Sequence, residues 1–191
     1  MVTGASLAPV GRRAFSELAG PSKAEMMGFR TVGPAHSFVL YGSGEMVIKV
    51  MPSDDRAAFA RWVQKASDDE LKELLAQSRT DVLTALVDGM PDVFRSDRAG
   101  TLDVVVHWRV TGRPDGDADV FELRIAGGRC VVAPPETPAP QLVLSLDAVN
   151  FVKMTTGNAN ARMLFLRGRL RARGDLGLVN RFPALFDVPK P

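Results

Sequence analysis

The chain has 191 residues, of which 46% are hydrophobic and 24% charged, and a formal net charge of +2. That length supports one domain with a real core plus additional material. The composition is ordinary for a globular protein, and the charge is too small for the chain as a whole to read as a nucleic-acid binder. The excess is local, however: from Ala159 to Pro191 there are six Arg and one Lys against two Asp, so any anion-facing surface is expected there. A single cysteine, Cys130, excludes an internal disulfide. In the apolar run "CVVA" it reads as a small buried thiol rather than a nucleophile. His36 and His107 are the two histidines, and without a cysteine cluster no metal site is expected.

At the N-terminus "GRRAF" precedes "SELAGPSKAEMMGF", whose charges, Gly and Pro leave no apolar core for an export signal. No stretch reaches the roughly 18 apolar residues of a membrane span, and a cytoplasmic location is expected. Residues 1–50 show no sustained period. The apolar runs Phe38–Tyr41 and Met46–Val50, split by Gly-Ser-Gly, have hairpin spacing, but their Gly-, Pro- and Ser-rich flanks read as a poorly ordered arm.

Helical signals begin at Pro52. Ser53 and Asp54 are cap candidates for a helix with Phe59, Ala60 and Val63 on one face. Ser67-Asp68-Asp69-Glu70 is a capping box opening a second helix. A third, "RTDVLTALVDGMPDVF", carries Val82, Leu83, Leu86, Val87 and Met90 as its apolar stripe and ends near Pro91. Residues 51–80 form a helical extension expected to pack on the core, with a protein partner as the alternative use of its faces.

From Thr101 the period becomes two. "TLDVVVHWRVTG" turns Leu102, Val104, Val106, Trp108 and Val110 to one side, with His107 as a surface residue on the other. "GRPDGDAD" is a turn, "VFELRIAGG" a second strand, "RCVVA" a third and "QLVLSL" a fourth, in an antiparallel meander. Asp147 caps a helix that Gly157 ends. Arg167, Arg169, Arg171 and Arg173 alternate with Gly168, Leu170 and Ala172 and read as a fifth strand, and Asp175 caps a last helix kinked at Pro183.

Catalytic motifs are absent from this pattern. There is no G-x-S-x-G, P-loop or G-x-G-x-x-G, "GSGE" at Gly42–Glu45 is too short to cradle phosphate, and the paired acids sit at helix starts. No enzyme and no cofactor is expected. Nucleic-acid binding through the arginines is also not expected, because Gly168, Leu170 and Ala172 stand where stacking aromatics would be needed. Between Phe151 and Phe186 the sequence is instead rich in Phe, Met and Leu, residues that suit a pocket for apolar ligands.

The stretch "DAVNFVKMTTGNANARMLFLRGRLRARGDLGL…LF" resembles the sterol carrier protein type-2 family. The matching positions are Asp147, Phe151, Thr156-Gly157-Asn158, Phe165, Gly168-Arg169-Leu170, Gly174-Asp175 and Leu185-Phe186. The resemblance implies an α+β fold: a five-stranded, largely antiparallel sheet with helices over one face, enclosing an apolar tunnel for sterols, fatty acids or acyl-CoAs. It places a lipid-binding domain at residues 81–188. On predicted inward faces, the cavity candidates are Val106, Trp108, Phe121, Leu123 and Leu144 from the strands. Phe151, Met154, Phe165, Leu178, Phe182 and Phe186 come from the helices. Arg167, Arg169, Arg171 and Arg173 are candidate contacts for anionic head groups at a membrane surface.

Overall fold

The computed structural model describes residues 55–188 and the backbone of three strands at 30–31, 38–42 and 45–49. The chain divides into two units, Met1–Lys49 and Val50–Pro191. In the first, β1 (Arg30–Thr31), β2 (Phe38–Gly42) and β3 (Glu45–Lys49) form an antiparallel sheet in that order. Gly42 pairs with Glu45 across the β2–β3 turn, so these strands occupy the two apolar runs of the sequence. The remainder of the expected arm lies outside the described residues.

The second unit opens with α1 (Arg56–Lys65) and α2 (Asp68–Asp88). The α1 cap is Asp55, not Ser53 or Asp54. Its extended backbone aims the carboxylate at the Ala58 N–H, 2.8 Å away. The capping box at α2 forms as its spacing requires, with Ser67 and Glu70 exchanging hydrogen bonds. The second and third expected helices are one element interrupted at Ser78, where φ and ψ leave the helical region. The next residue exploits that break. The Arg79 guanidinium donates to Asp119 at 2.7 Å and to the carbonyls of Val110, Thr111 and Gly112, tying the helix to the end of the central strand.

After a 3-10 turn at Pro91–Val93 and the short α3 (Ser96–Ala99) come β4 (Val104–Thr111), β5 (Asp119–Ala126), β6 (Arg129–Ala133) and β7 (Leu142–Asp147). α4 (Ala148–Thr155), α5 (Ala161–Leu166), β8 (Arg171–Gly174) and α6 (Leu176–Arg181) follow, and a 3-10 turn at Phe182–Leu185 ends the fold. The fold is α+β, with sheet order β6-β5-β4-β7-β8. The meander holds for β4, β5 and β6 but fails at the fourth strand, because β7 runs parallel to β4 on its far side. The Pro-rich loop is the reason. Instead of turning back beside β6, it is held across the sheet's outer face by Thr137, whose N–H and Oγ1 donate to Glu122 at 2.9 and 3.1 Å.

The fifth strand is shorter than the arginine alternation predicts. Arg167 to Leu170 close α5 instead: Gly168 has φ +68°, and the N–H groups of Arg169 and Leu170 donate to the Leu164 carbonyl. Only Arg171 and Arg173 lie on β8, opposite Ser145 and Val143. Gly174 ends the strand at φ +124°, and a Cβ there would stand 2.1 Å from the Gln141 carbonyl oxygen, so a side chain is excluded.

One sheet face carries Val106, Trp108, Val110, Leu123, Ile125, Leu142, Leu144 and Leu146, all buried against helical residues such as Leu71, Leu83, Phe151 and Val152. Burying each such side chain contributes about 1.5–3 kcal/mol. The helical extension is spent on this same core: Phe59, Val63, Leu71, Leu74 and Leu75 are buried.

The outer face holds an ionic cluster that alternation alone would have left in water. Glu122 is fully buried, accepting from His107 Nε2 at 3.0 Å, Arg124 Nε at 2.6 Å and both Thr137 donors. His107 is therefore not a free surface histidine; its side chain is 13% exposed and engaged with Glu122. Burial pushes the Glu122 carboxyl up, but the donors from Thr137, Arg124 and His107 outweigh it and hold the group at about 2. A depressed folded-state value stabilises the fold above the ordinary carboxylate range, and that contribution is lost as pH falls toward 2. Glu122→Gln is expected to cost about 1–3 kcal/mol at pH 7. The difference from wild type, measured by urea unfolding, should shrink as pH drops from 4.5 toward 2.

Candidate functional site

The helices do not cover the inner sheet face completely. Between them lies a cavity of about 1130 Å³, at or above the ~300–1,000 Å³ of typical small-molecule sites. Its floor is a cross-strand row. Trp108 on β4 stands beside Leu144 on β7, in the same row as Phe121 on β5 and Ala172 on β8. Trp108 and Leu144 line the cavity directly. The Trp108 ring is held edge-on between Phe151 of α4, at 5.5 Å, and Phe182 of the terminal turn, at 5.7 Å.

The walls come from three places. α1 supplies Ala57, Phe59, Ala60 and Arg61, whose small alanines leave room where larger residues would close the space. The segment Thr155–Arg162 forms the second wall, including the turn Thr156-Gly157-Asn158. Gly157 takes φ +76° there, so the chain reverses and brings Asn158 under α1. Asn158 Nδ2 then donates to the Ala60 carbonyl and to Thr156 Oγ1, each at 3.0 Å. The Thr156 hydroxyl in turn donates to the Val152 carbonyl at 2.7 Å. Phe182, Pro183 and Phe186 make the third wall. They are fixed because the chain end pairs with the segment after α2. Arg95 N–H donates to Leu185 O at 2.7 Å, Asp187 N–H donates to Val93 O at 2.8 Å, and Phe94 packs on Phe186.

Of the cavity candidates named from sequence, the structure brings together Trp108, Leu144, Met154, Phe165, Phe182 and Phe186 around this space. It places Val106, Leu123, Phe151 and Leu178 in the packed core and leaves Phe121 half-buried at the core's edge. The α1 wall went unread, as did Met90 and Leu170. Its signal was present, in a helix whose buried stripe sets the small Ala60 between Phe59 and Val63, but nothing in a linear pattern says which neighbour that stripe faces. Arg162 also lines the cavity, whereas Arg167, Arg169, Arg171 and Arg173 do not.

An apolar floor, walls that meet at a T-G-N turn, and a chain end folded over the space fit the resemblance noted above. The SCP-2 sterol transfer family matches residues 83–187, more than half of the chain. The chain belongs to this family. No curated protein matches the sequence. Solved structures similar to it include the sterol carrier protein domain 2 of Helicoverpa armigera, at 15% identity and a TM-score of 0.44, covering 52% of this chain and 79% of that one. Apo sterol carrier protein 2 from Yarrowia lipolytica gives 15% identity and 0.44, covering 56% and 89%. The sec-alkylsulfatase Pisa1 from Pseudomonas sp. gives 16% identity and 0.43 over 51% of this chain, but the likeness spans just 15% of that enzyme's length.

The SCP-2 match begins within α2, so α1 stands outside it while forming one wall of the cavity. The two parts are joined at Asn158. Asn158→Ala is expected to lower stability by about 1 kcal/mol, seen as a lower urea midpoint. Faster amide exchange in α1 than in β4 would show that the lost bond had been holding that wall.

Proposed function

We propose that this SCP-2 chain is a cytoplasmic, non-catalytic lipid carrier that holds a sterol, fatty acid or acyl-CoA chain in the cavity over Trp108 and Leu144. The observation that carries this reading is the cavity of about 1130 Å³ with an apolar floor, found in a chain of a sterol transfer family. Fifteen buried methylenes contribute roughly 12 kcal/mol, and several kcal/mol of association cost leave binding near the micromolar range.

The reactive groups support a carrier rather than an enzyme. His107 and Glu122 pair on the outer face of the sheet, away from the cavity lining. Burial pushes the Cys130 thiol up to about 11, so it is neutral at pH 7 and a poor nucleophile. No helix among the described residues is long and apolar enough to cross a membrane.

Exchange with a bilayer fits the surface around α5. Met163, Phe165 and Leu166 are 45%, 44% and 69% exposed, three large apolar side chains within four residues. Arg162, Arg167 and Arg169 flank them and stand exposed, a combination suited to an anionic lipid surface. Because Arg162 and Phe165 also line the cavity, a bilayer met there lies against the cavity's rim. Arg171 and Arg173 add positive charge on the neighbouring edge strand.

Native mass spectrometry of the purified chain should show a co-purifying lipid, and a fluorescent fatty acid or sterol should titrate into the delipidated protein. Ala57→Trp, which fills the cavity from an exposed helix position, is expected to reduce uptake about tenfold or more, one methylene at a time being worth about 0.8 kcal/mol. Absence of both co-purifying lipid and uptake would falsify the carrier reading. In sedimentation with phosphatidylserine-containing vesicles, Leu166→Asp should weaken association while leaving uptake of the soluble probe intact. Association unchanged by this substitution, or equal on purely zwitterionic vesicles, would remove α5 as the docking element.

A further inference from the structure

The charged residues at the cavity divide into satisfied and unsatisfied groups. Among the described residues four charged side chains line it: Arg56, Arg61, Arg162 and Asp187. Arg56 is engaged, donating from Nη1 to the Gly89 carbonyl at 2.9 Å and pairing through Nη2 with Asp92 at 3.0 Å. Gly89 is shaped for that contact, since a Cβ there would overlap the Arg56 guanidinium. Asp187 pairs with Arg95 at 3.5 Å. Arg61 and Arg162 remain, both exposed and neither with an acidic partner among the described residues.

Their helices offer them none. Three and four residues either side of Arg61 are Ala57, Ala58, Gln64 and Lys65, and around Arg162 they are Asn158, Ala159, Phe165 and Leu166. No carboxylate stands at the spacing where a helical ion pair would form. The two cations stand on different walls, α1 and α5, and both line one cavity with an apolar floor. A neutral sterol would use neither charge. A carboxylate or phosphate on the end of an acyl chain uses both, because each planar guanidinium donates two parallel hydrogen bonds to such an oxyanion.

We infer that Arg61 and Arg162 form a clamp for the anionic head of a single-chain amphiphile, a carboxylate or a phosphate monoester, whose chain lies over Trp108 and Leu144. The inference rests on the lipid-cavity reading and narrows it to a ligand class. It also gives α1 a role in selecting the ligand, because Arg61 lies upstream of the family match at 83–187 while Arg162 lies within it.

The test uses the full chain, delipidated, with palmitate, hexadecyl phosphate, hexadecanol and cholesterol as competitors of a fluorescent apolar probe, all below their aggregation limits and without vesicles. Wild type should bind palmitate or hexadecyl phosphate about tenfold or more tightly than hexadecanol. The tighter of the two anions identifies the head group. The double variant Arg61→Gln/Arg162→Gln should bind palmitate, hexadecyl phosphate and hexadecanol about equally, with hexadecanol affinity unchanged, and Arg61→Lys should keep part of the preference. Raised salt should weaken the anions alone in wild type and none of the ligands in the double variant. Wild-type affinities for palmitate and for hexadecyl phosphate that both equal that for hexadecanol, or a preference that survives in the double variant, overturn the clamp and leave the lipid cavity standing. Binding of none of the four ligands overturns the cavity reading and the clamp with it.

Discussion

The arrangement of Trp108 between Phe151 and Phe182 sets what the rest of this domain can be. Protein interiors normally close to the density of organic crystals, so a cavity of about 1130 Å³ persists only where stiff groups keep its walls apart. An indole on the central strand, held edge-on by rings at 5.5 and 5.7 Å, is such a spacer. It supports α4 on one side and the terminal 3-10 turn on the other. Its Nε1 donor is buried and finds no acceptor among the described residues, a cost of about 1–3 kcal/mol. Aromatic packing and the burial of the indole's large apolar surface offset that cost.

From this spacer the other requirements follow in order. The C-terminal turn must be tied down, because Phe182 is one jaw of the contact. The tie comes from backbone bonds between residues 93–95 and 185–187, far apart in sequence. α1 must be fixed at a distance from the sheet, and the Asn158–Ala60 bond does this through a turn whose Gly157 adopts φ +76°. On the opposite sheet face the constraint is different. There Glu122 gathers His107, Arg124 and Thr137, and the loop it anchors lets β7 enter beside β4 instead of beside β6. One face is organised around leaving space, the other around satisfying a buried charge.

Local patterns in the sequence carried most of the elements. Period-two alternation located β4 and β5, the S-x-x-E box located the start of α2, and Asp147 and Asp175 capped the helices they precede. Two of the failures share a cause: each depended on a partner distant in sequence. Alternation along β5 turns Glu122 away from the core, and its burial comes from Thr137 in a loop fifteen residues on. The parallel β4–β7 pairing reflects where that loop was anchored, which no strand pattern encodes. The arginine alternation overran β8 because a helix C-cap, with Gly168 at φ +68°, claimed Arg167 to Leu170 first. For the cavity, the residues pointing inward from the sheet were legible, but whether an inward residue meets packing or space depends on the helix above it. Val106 and Leu123 lie one row from Trp108 and are fully packed.

The local excess of positive charge in the C-terminal stretch separates into groups with distinct physical tasks. Arg171 and Arg173 lie on β8, an edge of the five-stranded sheet. Charge on an edge strand discourages pairing with a second chain, whatever else it does. Arg167 and Arg169 sit in the turn after the exposed apolar residues of α5, where positive charge beside protruding Phe and Leu favours an anionic interface. Arg162 flanks the same apolar residues from the other side and has a second task. It lines the cavity, and the cation that shares that cavity without an acidic partner among the described residues is not in the arginine run at all but at Arg61, about a hundred residues earlier. A periodic run of one residue type therefore carried less information about the ligand than two isolated arginines. Their significance comes from what they lack: a carboxylate within reach on their own helices.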